Sequence, residues 1–324
     1  MNIAIFTGGD SSESVISVKS AKQVSRWLER AGHTCYTIVV SGPEWKIIND
    51  GQEIVMDKNL FGFKSKRGQV SFDFAWNMIH GTPGEDGKLQ GYFDMMGITY
   101  SGSNHLSAAL TFNKYTCKIF LKQHGVLTPE ASLVRKSQEA DLEAIAEHVG
   151  FPCFVKPNSG GSSFGIAKVA KPEELKPALT AALREDREAI VERFIKGREV
   201  TCGLLKKDGK FLIFPVTEII TKNEFFDFEA KYTKGKAEEI TPAPIDESLT
   251  RKCQEFASQI YDLTDSSGLI RVDFIIKGNQ VYFLELNSIP GMSGESIIPR
   301  QVESAGLKME EVLQWVLDDA ISNN

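Results

Sequence analysis

No stretch of this 324-residue chain approaches the roughly 18 to 20 consecutive apolar residues of a membrane-crossing helix, so a membrane is not an expected partner. The opening Met-Asn-Ile-Ala-Ile-Phe-Thr-Gly-Gly-Asp has no basic stretch and breaks its apolar run at Gly8-Gly9, so no export leader is expected. Positive charge is not in excess. The 37 Lys and Arg stand against 43 Asp and Glu, a net of -6, and no basic field is present to draw a nucleic acid. Cysteine is scarce: Cys35, Cys117, Cys153, Cys202 and Cys253 form no Cys-x-x-Cys pair, which argues against zinc and dithiol chemistry and fits a reducing cytoplasm. Internal repeats, low-complexity tracts and flexible linkers are missing as well.

What is present is an ordinary globular composition, 42% hydrophobic and 25% charged, in a chain long enough for two or three packed domains. Its class reads as α/β. Residues 1–112 carry an apolar strand Asn2 to Phe6, a Gly8-Gly9 turn, a helix to about Arg30, and strands Cys35 to Val40 and Phe72 to Ile79, as in half of a Rossmann module. Gly-Gly-Asp-Ser-Ser-Glu is not the Gly-x-Gly-x-x-Gly turn of a dinucleotide site, which disfavours a dehydrogenase. In residues 113–199, Asn113 can cap a helix Lys114 to Gln123. Strand Phe154 to Lys156, loop Pro157 to Gly165, strand Ile166 to Val169 and a helix from Pro172 follow. Residues 200–324 hold strands Glu199 to Leu205 and Phe211 to Glu218, a polar stretch Thr221 to Pro244, a helix Thr250 to Leu263, a hairpin around Gly278 and two helices after Pro299.

Alternation in Ile270-Arg-Val-Asp-Phe-Ile-Ile-Lys277 puts Arg271 and Asp273 on the face opposite Ile270, Val272, Phe274 and Ile276. In the return strand, Glu285 and Asn287 share a face, with Leu284 and Leu286 behind them. Asp273, Glu285 and Asn287 are hard oxygen donors, suited to Mg²⁺ rather than zinc. For the three to meet, the connection needs an odd number of residues; Lys277-Gly278-Asn279 is expected to supply it, and a two-residue turn would refute the arrangement. The following Ser288-Ile-Pro-Gly-Met-Ser-Gly-Glu-Ser296 opens a helix near Ser296, a place for a carboxylate, with loop amides near Arg271 for an oxyanion.

Lys156-Pro-Asn-Ser-Gly-Gly-Ser-Ser-Phe-Gly165 is rich in amide and hydroxyl donors and could cover phosphates, yet no Walker Gly-Lys-Ser/Thr occurs. Alone, such a loop is equally a strand connection. Lys114, Lys156 and Lys231 are candidate phosphate contacts or solvated surface. Glu192 and Glu199 flank a turn, where they can accept from an adenine amine and ribose hydroxyls or serve as caps and salt bridges.

Further pieces are Gly8-Gly9 with Glu13 and Ser17, His80-Gly-Thr-Pro-Gly-Glu-Asp-Gly87, Leu89-Gln-Gly91, Glu229-Ala-Lys-Tyr232 and Pro290-Gly-Met292. In this order, over nearly the whole chain, the set resembles the D-alanine–D-alanine ligases, ATP-grasp enzymes of peptidoglycan precursor synthesis. The resemblance implies an α+β ATP-grasp fold: a half-Rossmann-like domain, then two subdomains clasping ATP. It implies that one D-alanine carboxylate attacks the ATP γ-phosphoryl and a second D-alanine amine attacks the resulting acyl phosphate. Two Mg²⁺ ions, which Mn²⁺ can replace, would sit on Asp273, Glu285 and Asn287. Phe154, Gly161, Ser162, Ser163, Glu192, Glu199 and Ile275 would join Lys114, Lys156 and Lys231 around ATP. Glu13 would bind the first ammonium below His80, and Glu13, Ser162 and Tyr232 would close the site. Arg271 and the Gly291 amide would stabilise the tetrahedral intermediate, and Ser296 would take the second carboxylate. A homodimer through the first unit is implied. The chain departs from the family at Ser14-Val-Ile16 after Glu13, and at Glu295, whose carboxylate would repel the second substrate unless it points away. Rival readings are D-serine or D-lactate ligases, the tyrosine of Glu-Ala-Lys-Tyr speaking against D-lactate, and an inactive nucleotide-binding module.

Overall fold

A computed structural model describes residues 1–49, 51–65, 68–161, 165–221 and 237–322. Strand β1 (Asn2–Gly8) is paired along both edges by the parallel strands β2 (Thr34–Ser41) and β7 (Phe74–Asn77), and its two faces pack into separate apolar clusters, Ile3 and Ile5 in one and Ala4 and Phe6 in the other. Its residues Ile3 to Phe6 are accordingly all apolar and fully buried. Helix α1 (Ser14–Arg30) crosses over this sheet, burying Ser17, Ser20, Ala21, Val24, Trp27 and Leu28 at helical spacing. Strands β3 (Glu44–Asn49) and β4 (Gln52–Val55) extend the sheet in the order β4-β3-β2-β1-β7, and β5 (Gly62–Ser65) with β6 (Gly68–Ser71) forms a separate hairpin. None of these four strands was expected, and neither were α2 (Lys88–Met96) and α3 (His105–Phe112). The expected strand Phe72 to Ile79 is shorter at both ends.

Helix α4 (Lys114–Gln123) begins as expected, the Asn113 side chain accepting from the Thr116 amide. The central sheet is antiparallel in the order β10-β9-β11-β8, from β8 (Ala131–Arg135), β9 (Cys153–Pro157), β10 (Ala167–Val169) and β11 (Glu188–Arg193). Helices α5 (Leu142–Val149) and α6 (Leu175–Glu185) pack on it, α6 preceded by a tight turn at Pro172–Glu174.

The third sheet runs β15-β14-β12-β16-β17, with β13 also on β12. Its strands are β12 (Arg198–Lys207), β13 (Lys210–Ile213), β14 (Thr217–Thr221), β15 (Ala237–Ile240), β16 (Ile270–Lys277) and β17 (Gln280–Asn287). The single strand expected from Phe211 to Glu218 is thus two. Proline cannot donate to a ladder, and at Phe214-Pro215-Val216 the chain leaves one stretch of β12 and rejoins it at another. Helix α7 (Glu247–Leu263) starts three residues before the expected Thr250. Helix α8 (Ile297–Ser304) starts before Pro299, whose missing N–H costs nothing in a first turn, and α9 (Met309–Ser322) closes the chain.

The cores do not follow the sequence order. One cluster joins Ile3, Val24 and Trp27 of the first unit to Leu205, Ile298 and Leu313 near the C-terminus. The central sheet and its helices have a cluster of their own, including Val155, Leu179 and Val191.

Candidate active site

The hairpin β16–β17 differs from expectation in its turn and agrees in its outcome. Lys277 stands opposite Gln280, so the turn is the two residues Gly278-Asn279, and Gly278 has φ +58°, the left-handed value required at the first position of a type II′ turn. That turn alone would set Leu284 opposite Asp273 and send Glu285 to the far face. A bulge prevents it: Phe274 still faces Phe283, whereas Asp273 faces Glu285, and Leu284 is the extra residue. The carboxylates share a face through the bulge, not through an odd turn. Leu284, expected behind the sheet with Leu286, lines the cleft in front, while Leu286 stays in the core.

That cleft, about 430 Å³, lies between the central and third sheets. Phe154, Lys156, Glu192, Glu199, Arg271, Asp273, Ile275 and Glu285 all line it, so eight expected residues meet in one place. Arg271 grips Asp273 with two parallel hydrogen bonds, Nε and Nη2 each 2.9 Å from a carboxylate oxygen. The Asn287 amide donates to Asp273 Oδ2 at 3.0 Å, and Thr201 Oγ1 donates to Oδ1. Lys114 reaches the Gly160 carbonyl and lies 3.4 Å from Glu285.

A lysine absent from the expected set lies beneath these groups. Lys118, 1% exposed, donates to the Leu284 carbonyl freed by the bulge, stands 3.1 Å from Glu192 and faces the Phe283 ring at 5.1 Å. Lys156 holds the other Glu192 oxygen at 2.6 Å. Burial works against the Glu192 carboxylate, but Lys118 and Lys156 outweigh it and hold the carboxyl below the usual range. Burial holds Lys118 below the usual lysine range, Glu192 offsetting only part of it; for Lys156, Glu192 and Glu285 win over burial and hold it above. The signal for Lys118 was its position: on α4 it shares the buried face with Cys117 and Leu121.

At the other end, Glu13 is the N-cap residue of α1, yet its side chain makes no cap. Instead it accepts from the Gly161 amide at 3.1 Å, an approach open only because Gly161 has no Cβ, which would fall 2.6 Å from Glu13 Oε1. The His80 amide donates to Ser17 Oγ at 3.0 Å, and its Nε2 lies 3.4 Å from Ser20 Oγ, which in turn accepts from the Met292 amide at 3.2 Å. Burial, with Arg271 adding, pushes His80 down to about 4, so the ring is neutral near pH 7. Burial, with Glu13 adding, pushes Glu85 up to about 8; its carboxyl accepts from the Gly81 amide at 2.8 Å. Ser296 Oγ turns back to the Ser293 amide and hydroxyl, at 3.0 and 2.8 Å, rather than capping α8, and Gly291 packs close enough that a Cβ would lie 3.2 Å from it.

The family model "D-ala D-ala ligase N-terminus" matches residues 2–103, and "D-ala D-ala ligase C-terminus" matches 120–318. The chain belongs to the D-alanine–D-alanine ligase family. A ligase of that name from Parabacteroides distasonis is 48% identical over 324 residues, spanning 99% of this chain and 98% of its own. One from Bacteroides fragilis is 46% identical over 98% of each chain. Among solved structures, D-alanyl-alanine synthetase A of Vibrio cholerae superposes with TM-score 0.88 at 27% identity over 99% of this chain and 98% of that one. VanG D-Ala:D-Ser ligase of Enterococcus faecalis gives 0.86 at 30% identity, covering 98% and 99%. The fold of this D-alanine–D-alanine ligase family member is therefore the ATP-grasp fold, as expected.

Of the residues expected to act in this ligase, Ser162, Ser163, Lys231 and Tyr232 lie outside the described residues. Glu295 is exposed, and its carbonyl, not its carboxylate, is engaged, by Arg300. Burial raises the pKa of all five thiols, so none is a thiolate nucleophile at neutral pH. Among the described residues no group of three or more His, Cys, Asp or Glu is arranged to hold a metal, and no helix is long and apolar enough to cross a membrane. The donor set Asp273, Glu285 and Asn287 escapes that pattern because one member is an amide.

Proposed function

We propose that this ligase joins two D-alanines, with ATP and Mg²⁺, into D-alanyl-D-alanine for peptidoglycan precursors. The observation that carries the reading is the facing pair Asp273–Glu285 on the floor of a cleft that also holds Lys156 and Glu192, in a chain related over its full length to ligases of that name. Structures of this family include one from Bacillus anthracis complexed with ATP, TM-score 0.79 at 27% identity over 99% of this chain and 98% of that one. Phe154, Ile275 and Leu284 offer apolar walls to an adenine, Glu192 and Glu199 acceptors, and Lys114 and Lys156 cations for the phosphates. Phosphoryl transfer needs positioning and charge stabilisation, and no protein nucleophile is required.

The first D-alanine carboxylate attacks the γ-phosphorus and ADP leaves. The second D-alanine, as a free amine, attacks the acyl carbon; phosphate leaves and a proton is lost. Glu13 faces the first ammonium and the neutral His80 lies beside it. Arg271 and the Gly291 amide face the developing oxyanion, and Ser296 with the α8 amides faces the second carboxylate. Asp273, Glu285 and Asn287 are hard oxygen donors whose chemistry fits Mg²⁺, and they would hold it once the Arg271 fork releases an Asp273 oxygen and the Asn287 amide presents its oxygen. Bound there, the metal would neutralise phosphate charge. We assign the chain to the cytoplasm, where its free cysteines stay reduced, and to a homodimer through the first unit.

The likeness to VanG supports a second reading, D-serine as acceptor. Purified protein with ATP, Mg²⁺ and D-alanine, alone or with D-serine or D-lactate, is assayed for ADP and for products by mass. D-Alanyl-D-alanine is expected; absence of D-alanine-dependent ADP sinks the reading, and a dominant mixed product shifts it to D-serine.

A further inference from the structure

Gln301 is a polar side chain on the buried face of α8, 0% exposed, and every hydrogen-bonding end of its amide is occupied. Its Oε1 accepts from the Gly203 amide at 3.0 Å, and its Nε2 donates to the Thr201 carbonyl and to Thr217 Oγ1, both at 3.0 Å. These contacts fall at the fork in the third sheet. Strand β12 pairs with β14 as far as Thr201 and with β13 only from Leu204; between them the Gly203 carbonyl accepts from the Phe214 amide at 2.9 Å, while the Gly203 N–H and the Thr201 carbonyl take Gln301 in place of a strand partner. Gly203 lets the helix come this close: a Cβ there would lie 2.4 Å from Ile298 Cδ1 and 2.5 Å from Gln301 Oε1.

Both ends of this lock lead to the site. Thr201, held through its carbonyl, donates its hydroxyl to Asp273 Oδ1, and Asp273 is gripped by Arg271. In the other direction Ser296 stands at the N-terminal end of the same helix, about 7.5 Å away along the axis at ~1.5 Å per residue. Apolar packing of Ile298 and Val302 holds α8 against the sheet but lets it slide, since dispersion has no direction. Three directional hydrogen bonds fix where it stops.

We propose that Gln301 is a positioning residue that sets the spacing between the α8 N-terminus and the Arg271–Asp273 pair, and so delivers the incoming amine to the acyl carbon. This rests on the reading of Ser296 as the second-carboxylate site. Gln301 touches no substrate. Its loss leaves acyl phosphate formation largely intact, because α8 covers β12 at Gly203 and Leu205 while the nucleotide cleft lies further along the same face, over Glu199 and Ile275, and Asp273 keeps its own bonds from Arg271 and Asn287. The acyl phosphate then meets water more often than amine, returning D-alanine and phosphate.

The readout is the ratio of ADP to dipeptide, which a simple loss of folded enzyme does not change. Gln301→Met, similar in volume and without the amide, is expected to raise that ratio by about tenfold to 100-fold at subsaturating D-alanine, with the KM for ATP within about twofold of the parent. Gln301→Glu keeps the acceptor for Gly203 but sets an oxygen against the Thr201 carbonyl. Protonation restores the donor, so its ratio falls back toward that of the parent as the pH is lowered from about 8 to 6. If the Met variant does not fold, this pH reversal carries the test. A parental ratio in both variants, or ADP and dipeptide falling in step, overturns the proposal. A parent protein that makes no dipeptide overturns the ligase reading instead.

Discussion

His80 shows how a single buried side chain ties the site to the pH response of the whole chain. Its folded pKa of about 4 lies below the ordinary 6.5, first through burial and then through Arg271. Between these values the unfolded chain binds a proton that the folded one refuses, so the stabilising difference is complete above pH 6.5 and is lost as pH falls toward 4. The loss is expected to reach roughly 3 kcal/mol. Urea titrations of the ligand-free protein between pH 7 and 4 check this: His80→Gln should flatten the slope in that window, and an unchanged slope refutes it. Lys118 poses the opposite case, a charge retained in the interior by a partner. Lys118→Met should cost roughly 3 kcal/mol by denaturant, because Glu192 loses one of its two cations while staying buried. The double variant with Glu192→Gln should cost less than Lys118→Met alone, since the stranded charge goes with it. The oxygen donors were legible because alternation puts Asp273 and Glu285 off the apolar faces of their strands. Lys118 and Gln301 were not, because their backbone partners, the Leu284 carbonyl and the Gly203 amide, become available only where a bulge and a fork interrupt regular pairing.

At the scale of elements the hairpin separates what the turn does from what the bulge does. Local sequence shows the two strands and the Gly278-Asn279 punctuation, but period-two patterning cannot reveal an extra residue such as Leu284, whose side chain is apolar on either face. The turn supports the hairpin; the bulge sets which residues face Asp273. Gly278→Ala adds strain at φ +58° with nothing within 4 Å to clash, so it should destabilise the fold by about 1 to 2 kcal/mol. Activity per folded molecule should be unchanged, because the Asp273–Glu285 register is fixed beyond the turn. A fall in kcat that exceeds the loss of folded protein would show that the turn does set the register. Elsewhere legibility followed apolar periodicity: α1, α4 and β12 stand close to where their patterns place them. The short strands at residues 44–71 were missed because their residues are half exposed and mixed in polarity.

Across the whole molecule, chain order and cooperative order differ. The first unit reads from the sequence as a module of its own, yet Val24 and Trp27 of α1 and Trp76 of β7 share one core with Ile298, Leu313 and Val316. Met292 and Ser20 add a hydrogen bond across the same boundary. Separating these parts would expose large apolar side chains, each contributing about 1.5 to 3 kcal/mol when buried, so the first and third units should unfold together. The central sheet has its own cluster, and at the cleft Phe154, Lys156 and Glu192 supply its wall facing the third sheet. It is the part able to open alone. Native-state hydrogen exchange should therefore show amides of β1, α1 and α9 exchanging with a common free energy, and those of β9 and β11 with a lower one. On the proposed function ADP with Mg²⁺ would bridge both sides of the cleft, and it should raise the protection of β9 and β11 up to that of the remainder, by RT ln(1 + [L]/Kd). Equal protection of all these strands without nucleotide would mean that the three sheets open as one body, and that nucleotide binding does not depend on a movable central unit.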